Sequence, residues 1–170
     1  MSAKTNTVID IDAAIERMAE QLRPLLKKRP AMIGIHTGGA WIAARLHQML
    51  ALDEALGTLD ISFYRDDFTR IGMNPQVKAS SLPANVEDRH VILVDDVLHT
   101  GRTIRAALNE IFDYGRPASV TLAVLIEREG RELPIEAQVI GERVKINKSQ
   151  RIKLVGGPDQ LALKIQEAGG

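Results

Sequence analysis

The chain has 170 residues, 22 basic and 22 acidic side chains, and no cysteine. This length suits one domain with a real core and leaves little room for two, and a hydrophobic content of 45% argues against disorder. Balanced charge indicates no polyanionic partner through long-range attraction, although a local basic site would escape this test. The absence of cysteine excludes disulfides and thiolate metal sites, and it suits a reducing compartment.

The first third of the chain predicts helix, strand, helix. Apolar residues at helical spacing predict a helix that ends before Pro30. The short apolar run Ala31 to Ile35 is typical of a buried strand, and the turn His36 to Gly39 leads into a second helix, about Ala40 to Leu50. The inner stripe of the first helix consists of Ile11, Ala14, Ile15, Met18, Leu22, Leu25 and Leu26.

A strand and a long irregular segment follow. Thr58 to Tyr64 alternates like a strand, with Leu59, Ile61 and Phe63 on one face. The segment 65–83 contains charges, Gly and Pro without a sustained period. A loop of that length inside a compact domain is typical of a lid, a binding loop or a disordered insert.

The second half of the chain predicts further strands around one clear helix. Val91 to Val94 predicts a buried strand, and the turn Thr100 to Thr103 opens a helix to about Tyr114, with Ser119 to Ile126 as the next strand. Shorter β segments are expected near 137–140 and 152–155. Strands that alternate with helices predict an α/β fold with a mainly parallel sheet flanked by helices on both faces. The inner stripe of the last helix consists of Ile104, Ala107, Leu108 and Ile111.

The stretch VILVDDVLHTGRT sets two adjacent carboxylates, Asp95 and Asp96, between a strand and a helix. Ligands of open α/β sheets bind outside the carboxyl ends of strands, where we expect this pair to lie. The helix N-terminus at Thr100 to Thr103 offers amides and a positive dipole end to a phosphate, and Gly101 permits close approach. An acidic pair beside an anion cradle suits a ribose 5-phosphate. The alternative, one Asp capping the helix and the other solvated, fits the flanking residues less well.

This stretch closely resembles the phosphoribosyl-pyrophosphate (PRPP) signature of type I phosphoribosyltransferases. Together with SFYRDDFTR and DYGRPASVTLAVLIEREGRELPIEA, it is similar to the PyrR family of bifunctional pyrimidine-operon regulators with uracil phosphoribosyltransferase activity. The similarity covers about residues 9–141. The resemblance implies the type I phosphoribosyltransferase fold in a single domain, 1–170, with a flexible loop at about 65–83 and a small base-binding hood at about 127–141.

The resemblance implies an enzyme in which uracil displaces pyrophosphate from PRPP to give UMP, with Mg²⁺ bound mainly through PRPP and no particular protein ligand. Asp95 and Asp96 would act as catalytic residues by holding the ribose hydroxyls. His99 stands where relatives commonly carry Tyr, so a side-chain stacking role would be lost and a backbone contact kept. The residues implied to bind the 5-phosphate are Leu98, His99, Thr100, Gly101, Arg102 and Thr103.

The turn Thr37, Gly38, Gly39 matches the pyrophosphate loop of the family, which often contains a non-proline cis peptide. An ordinary turn into a helix is the local alternative. Many relatives carry Arg where this chain has Gly38, so a direct cationic contact is missing. Arg65, at the base of the loop, is implied to contact pyrophosphate and to contribute to catalysis; Arg70 and Lys78 are further candidates or solvated surface charges.

The hood is implied to bind uracil largely through its backbone, around Arg131, Leu133 and Ile135, with an apolar shelf from Val97 or Leu98. Side chains therefore say little about which base is preferred.

The chain lacks the apolar core of a signal peptide at its start and has no run near the roughly 20 apolar residues that span a bilayer, so we expect a cytoplasmic protein with no membrane partner. The resemblance implies homodimers or larger homo-oligomers and pyrimidine leader RNA as a partner. Two alternatives to a uracil phosphoribosyltransferase stay open: an RNA-binding attenuator with little catalytic activity, and a phosphoribosyltransferase for another base. Neutral net charge and 4% aromatic residues show no evident nucleic-acid footprint.

Overall fold

The computed structural model describes residues 9–61, 82 and 85–167. The helices are α1 (Ile11–Leu22), α2 (Gly38–Leu50) and α3 (Arg102–Tyr114), and a 3₁₀ segment, Arg23–Lys28, follows α1. The strands are β1 (Ala31–Ile35), β2 (Gly57–Leu59), β3 (His90–Leu98), β4 (Ser119–Arg128), β5 (Val139–Val144), β6 (Gln150–Val155) and β7 (Ala162–Glu167). In this part of the chain, no helix is long and apolar enough to cross a bilayer.

The first five strands form one parallel sheet in the order β2-β1-β3-β4-β5, and β6 and β7 form a separate antiparallel hairpin. The predicted parallel sheet is therefore confirmed. All five residues of β1 are buried, as expected for a central strand covered on both faces.

Two apolar layers cover the sheet, and β3 contributes to both because successive strand side chains point to opposite faces. Ile92 and Val94 pack into the layer made with α1 and α2. Val91 and Leu93 pack into the layer made with α3. The predicted helix stripes are buried as well, apart from half-buried positions at Leu25, Leu26 and Leu108.

Several predicted element ends were wrong. The strand predicted over Thr58 to Tyr64 ends at Leu59, since Asp60 and Ile61 lie outside β2. Two further errors concern the first helix and the strand before the acidic pair. The α-helix ends at Leu22, and the chain continues as the 3₁₀ segment, which has Pro24 at its start. The strand β3 runs on to Leu98 because β4 continues to pair with it, with Asp95 opposite Val124. The apolar run in the sequence marks only the part of β3 that also pairs with β1.

Other predictions fall partly outside the described residues. Leu59 and Ile61 are buried as expected, whereas Phe63 lies outside the described residues. Of the predicted loop 65–83, the structure describes Leu82, which packs against the α3 layer. The predicted hood segment, 127–141, comprises the end of β4, the connection 129–138 and the start of β5.

The edge strand β5 is covered by side chains of α1. Gln21 donates through Nε2 to the carbonyl of Ile140 at 2.9 Å, and its Oε1 accepts from the Ile140 amide at 3.3 Å. Arg17 donates through Nε to the Gly141 carbonyl at 2.9 Å and pairs with Glu142 at 2.6 Å. These contacts satisfy backbone groups that an uncovered sheet edge would expose.

The hairpin of β6 and β7 was predicted only in part, because β7 gave no recognised signal. Most side chains of β7 are exposed, so its sequence lacks a buried apolar face. Leu154 of β6 is buried in the α1 and α2 layer, and Ile152 and Leu163 are half-buried against it. The hairpin is thus attached to the domain mainly through one side of β6.

Candidate active site

The acidic pair lies within β3, not after its last residue as the sequence suggested. The pairing of β1 with β3 reaches Gly34 and Val94, and β1 itself ends at Ile35. Asp95 and Asp96 therefore follow the point where β1 stops pairing, although β3 continues beside β4. The acidic pair therefore lies at the carboxyl end of β1, as expected for a site at this edge of the sheet, but it does not lie at the carboxyl end of β3.

The two carboxylates differ in their surroundings. Asp95 is 5% exposed, and its Oδ1 accepts a hydrogen bond from the amide of Asp96 at 2.8 Å. Asp96 is half-buried, and its Oδ1 accepts from the amide of Val97 at 2.8 Å. Burial raises the pKa of Asp95 well above its ordinary value, and the neighbouring charge of Asp96 raises this pKa further. Burial and mutual repulsion therefore disfavour full negative charge on both carboxylates at once.

The turn before α2 packs against this pair. The peptide bond between His36 and Thr37 is cis, as the resemblance implied for this loop. A Cβ built on Gly39 would lie 2.7 Å from the Val94 carbonyl oxygen, and one on Gly38 would lie 2.9 Å from Cγ of Asp96. Only glycine fits such close approaches. The structure thus brings together the two segments that the sequence assigned to pyrophosphate and to ribose.

The turn before α3 has the geometry of an anion cradle. Gly101 is the N-cap of α3, with φ 94° and ψ −6°, and the hydroxyl of Thr100 accepts from the Arg102 amide at 3.2 Å. The next amides of the helix have no intrahelical partners, which leaves them for an anion. Arg102 pairs with Glu132 at 3.1 Å, and both side chains are more than half exposed, so this ion pair is weak.

The connection after β4 packs on the same turn. The amides of Glu132 and Leu133 both donate to the Thr100 carbonyl, at 2.9 and 3.1 Å. A Cβ on Gly101 would lie 3.0 Å from Cγ1 of Ile135. The predicted phosphate and base segments are therefore in direct contact.

The sequence assigned the backbone around Arg131, Leu133 and Ile135 to uracil, and several groups of this segment are engaged within the protein. The guanidinium of Arg131 bonds the carbonyls of Ile135 and His99 and the carboxylate of Glu127. The Leu133 amide donates to the Thr100 carbonyl. These groups position the segment, and a base would meet the remaining backbone groups.

Of the two residues assigned to the apolar shelf, Val97 and Leu98, only Val97 has an accessible side chain. Leu98 is 1% exposed and packs into the α3 layer, so its side chain cannot face a ligand. Val97 is half-buried against the α1 and α2 layer. His99 is half-buried; burial lowers the pKa of its imidazole, and the positive charge of Arg128 lowers this pKa further.

Arg128, at the end of β4, is a site neighbour that sequence reasoning missed. It is 4% exposed and donates to the carbonyls of Gln150 and Asn147, while its Nε has no hydrogen-bond partner. Burial lowers the pKa of the Arg128 guanidinium. No sequence pattern marked Arg128, because it stands between two glutamates and looks like a solvated charge.

The donor set for a metal is small. In the described ranges, no group of three or more His, Asp or Glu side chains is arranged to hold a metal ion. Asp95 and Asp96 provide carboxylate oxygens beside the Gly38 turn. This set fits a Mg²⁺ ion that takes most of its ligands from a substrate. Arg65, Arg70 and Lys78 lie outside the described residues.

Comparison with known proteins agrees with this geometry. A family model described as a phosphoribosyl transferase domain matches residues 6–152. The bifunctional protein PyrR of Nitrosococcus oceani is 62% identical over 153 residues, which cover 89% of this chain and 84% of that protein. The chain belongs to the PyrR family.

A second PyrR protein, from Pseudomonas paraeruginosa, is 55% identical over 154 residues, covering 88% of this chain and 90% of that protein. The crystal structure of a purine phosphoribosyltransferase from Pyrococcus horikoshii OT3 superposes with a TM-score of 0.60 at 27% identity, covering 80% of this chain and 85% of that one. PyrR membership and the type I phosphoribosyltransferase fold are both confirmed.

Proposed function

We propose that this PyrR protein is a uracil phosphoribosyltransferase, which converts uracil and PRPP into UMP and pyrophosphate with Mg²⁺. The observation that carries the proposal is the acidic pair of β3, Asp95 and Asp96. The pair contacts Gly38 in the turn before α2, and it shortly precedes Thr100 in the turn before α3. A ribose with a phosphate at one end and a pyrophosphate at the other needs two anion-binding turns on either side of a group that binds hydroxyls, and this arrangement supports that assignment.

The reaction breaks the bond from C1 of the ribose to pyrophosphate and forms a bond from C1 to N1 of uracil, which loses its proton. The sugar passes through a cationic, oxocarbenium-like state. Asp96 accepts from one ribose hydroxyl, and Asp95 provides a second carboxyl group for a neighbouring hydroxyl. Burial raises the pKa of Asp95, so the pair resists carrying two full charges. The negative charge of the pair also stabilises the sugar cation. Mg²⁺, when bound to pyrophosphate oxygens, neutralises charge on the leaving group.

The remaining roles rest on PyrR membership and on the fold. The amides at the start of α2 and α3 would hold pyrophosphate and the 5-phosphate, and Val97 would support the base. Arg65 is proposed to close over pyrophosphate from the loop 65–83 and to exclude water. The whole chain, 1–170, would act as one domain.

Formation of UMP from radiolabelled uracil, PRPP and Mg²⁺ tests the proposal. The double variant Asp95→Asn, Asp96→Asn should lose activity by about 100-fold or more, because neutral amides hold the ribose hydroxyls and the sugar cation less well. Asp113→Asn, on the exposed face of α3, is the matched control and should keep wild-type activity. A folded wild type that binds PRPP and makes no UMP would exclude the uracil enzyme.

The choice of base needs a separate comparison, because a solved neighbour is named as a purine phosphoribosyltransferase. Unlabelled uracil should compete with labelled uracil, and hypoxanthine and guanine should not. Competition by a purine together with formation of its nucleotide would instead assign the chain to that base.

We also propose that pyrimidine leader RNA is a partner, on the strength of membership in a family whose proteins are named bifunctional. Binding of labelled leader RNA should weaken steeply with salt, since phosphate contacts release counterions. A scrambled RNA of equal length is the control, and equal binding of the two would contradict sequence-specific regulation. We propose homodimers or larger homo-oligomers in the cytoplasm, which light scattering and cell fractionation would test.

A further inference from the structure

We propose that Arg131 is a positioning residue, which holds the segment 130–135 against residues 99–101. These residues form the turn before α3 that is proposed to bind the 5-phosphate, the phosphate turn. The subsites for base and phosphate then form together. The inference deepens the proposed function and rests on it. The sequence assigned the backbone around Arg131 to uracil, and the proposal adds a role for the Arg131 side chain.

The guanidinium of Arg131 joins three parts of the site. Its Nε donates to the Ile135 carbonyl at 2.8 Å, its Nη2 donates to Oε1 of Glu127 at 2.7 Å, and its Nη1 donates to the His99 carbonyl. Glu127 belongs to β4, His99 opens the phosphate turn, and Ile135 lies in the connection after β4. A planar fork with five N–H donors can satisfy three acceptors in different directions, whereas a lysine ammonium is a single point of charge.

Burial makes these bonds stronger than those of an exposed ion pair. The Arg131 side chain is 25% exposed and that of Glu127 is 17% exposed. Charge-assisted hydrogen bonds in such partly desolvated surroundings are strong. Nε of Arg143 also contacts Oε2 of Glu127, at 3.0 Å, but the Arg143 side chain is 75% exposed, so this contact is open to solvent. Arg131 therefore dominates the attachment, and Arg143 offers a matched control.

Further contacts connect the same two segments. The Thr100 carbonyl accepts from the amides of Glu132 and Leu133. Ile135 packs on Gly101, and Gly130 packs on His99 so closely that a Cβ on Gly130 would lie 2.7 Å from Nε2 of the imidazole. Segment 130–135 and residues 99–101 consequently form one packed unit. Ordering of one part by a ligand then favours ordering of the other.

This arrangement has a kinetic consequence. If the attachment is lost, only a fraction of molecules presents both subsites in the binding geometry, and apparent affinities fall by that fraction. Saturating substrates restore the competent geometry, so turnover at saturation falls much less. A residue that contacts uracil directly would weaken uracil alone, whereas Arg131 should weaken uracil and PRPP together.

The test compares Arg131→Lys with Arg143→Ala in steady-state UMP formation. For Arg131→Lys we expect KM to rise about tenfold for both uracil and PRPP, with kcat within about threefold of wild type. Arg143→Ala should stay within about twofold in all three constants. Unchanged KM values in a folded Arg131→Lys variant, or a rise for uracil alone, would overturn the proposal.

Hydrogen exchange gives a readout that does not depend on turnover. In Arg131→Lys, amide exchange should accelerate in residues 99–101 and 130–135 together, and it should be unchanged in Arg143→Ala. Acceleration confined to 130–135 would overturn the linkage to the phosphate turn. If the wild type makes no UMP, the proposed function fails, and this exchange comparison still decides whether Arg131 joins the two segments.

Discussion

Gly39 lies directly against Asp95: a Cβ on Gly39 would stand 2.9 Å from Cα of Asp95 and 3.2 Å from its Oδ1. Backbone atoms cannot yield as a flexible side chain can, so Gly39→Ala must displace either the turn or β3. We expect UMP formation to fall at least about tenfold, since misplacement of a substrate by about 1 Å is costly. Ala44→Val, which enlarges an exposed residue of the same helix, should retain activity, and equal losses in both variants would contradict this account.

The raised pKa of Asp95 makes a prediction for stability. A carboxyl whose pKa is higher in the folded than in the unfolded protein binds more protons when folded. Stability from this group is therefore present at low pH and is lost as pH rises from the unfolded pKa, near 3.9, through the folded value. Asp95→Asn keeps the acceptor for the Asp96 amide and carries no charge. The variant should melt at a higher temperature than wild type at pH 8, with the gap closing towards pH 4.

Thermal denaturation between pH 4 and pH 8 measures this difference. Each pKa unit corresponds to about 1.4 kcal/mol, and each kcal/mol to about 2–4 °C in Tm for a chain of this size. The same variant should lose activity, so stability and catalysis change in opposite directions. A Tm difference that does not vary with pH would rule out the ionisation of Asp95 as its cause.

Gly101 combines a left-handed backbone with a close neighbour. At φ 94° an alanine is strained, and its Cβ would lie 3.0 Å from Cγ1 of Ile135. Gly101→Ala should therefore lower the free energy of unfolding by about 1–3 kcal/mol and raise KM for PRPP. Gly157→Ala, at φ 100° with nothing within 4 Å, separates backbone strain from crowding. If the two variants have the same KM for PRPP, contact with Ile135 does not shape the phosphate turn.

Arg128 should contribute more to the free energy of unfolding than an exposed arginine does, because its guanidinium is buried and hydrogen-bonded. Arg128→Met keeps much of the volume but removes the donors to the Gln150 and Asn147 carbonyls, which should cost about 1–3 kcal/mol in urea denaturation. Arg151→Met, at an exposed position of β6, should cost less than about 0.5 kcal/mol.

Arg128→Met should also change the pKa of His99. The charge of Arg128 helps to lower the pKa of this imidazole, so Arg128→Met should raise this pKa towards its ordinary value. An NMR titration of His99 in the wild type and in Arg128→Met would measure the change. A further fall in the pKa of His99 would contradict the assigned cause.

The sequence predicted those parts of the molecule that depend on local pattern. The strand β1 was predicted at both ends, because an apolar run there is bounded by Pro30 and by the turn at His36. The helix α3 was predicted because its stripe and its glycine turn agree. The sequence assigned the Gly38 turn and the acidic pair to parts of one substrate, and the structure places Gly38 and Gly39 against that pair.

What could not be predicted depends on partners far along the chain. The end of β3 is set by residues of β4, and no feature near Asp96 reports that pairing. The resemblance placed Arg131 in the base segment, but its bonds to His99 and Ile135 exist only in the folded protein. Arg128 is buried by the turn before β6, which the local sequence does not reveal.

The cover on β5 bears on how copies of this protein can meet. Gln21 and Arg17 of α1 engage the backbone of Ile140 and Gly141 at the outer strand. A neighbouring molecule that sought to add its own strand there would first have to strip both side chains away, at the cost of several hydrogen bonds. The protein's own first helix therefore protects this edge of the main sheet against the addition of a strand from another molecule.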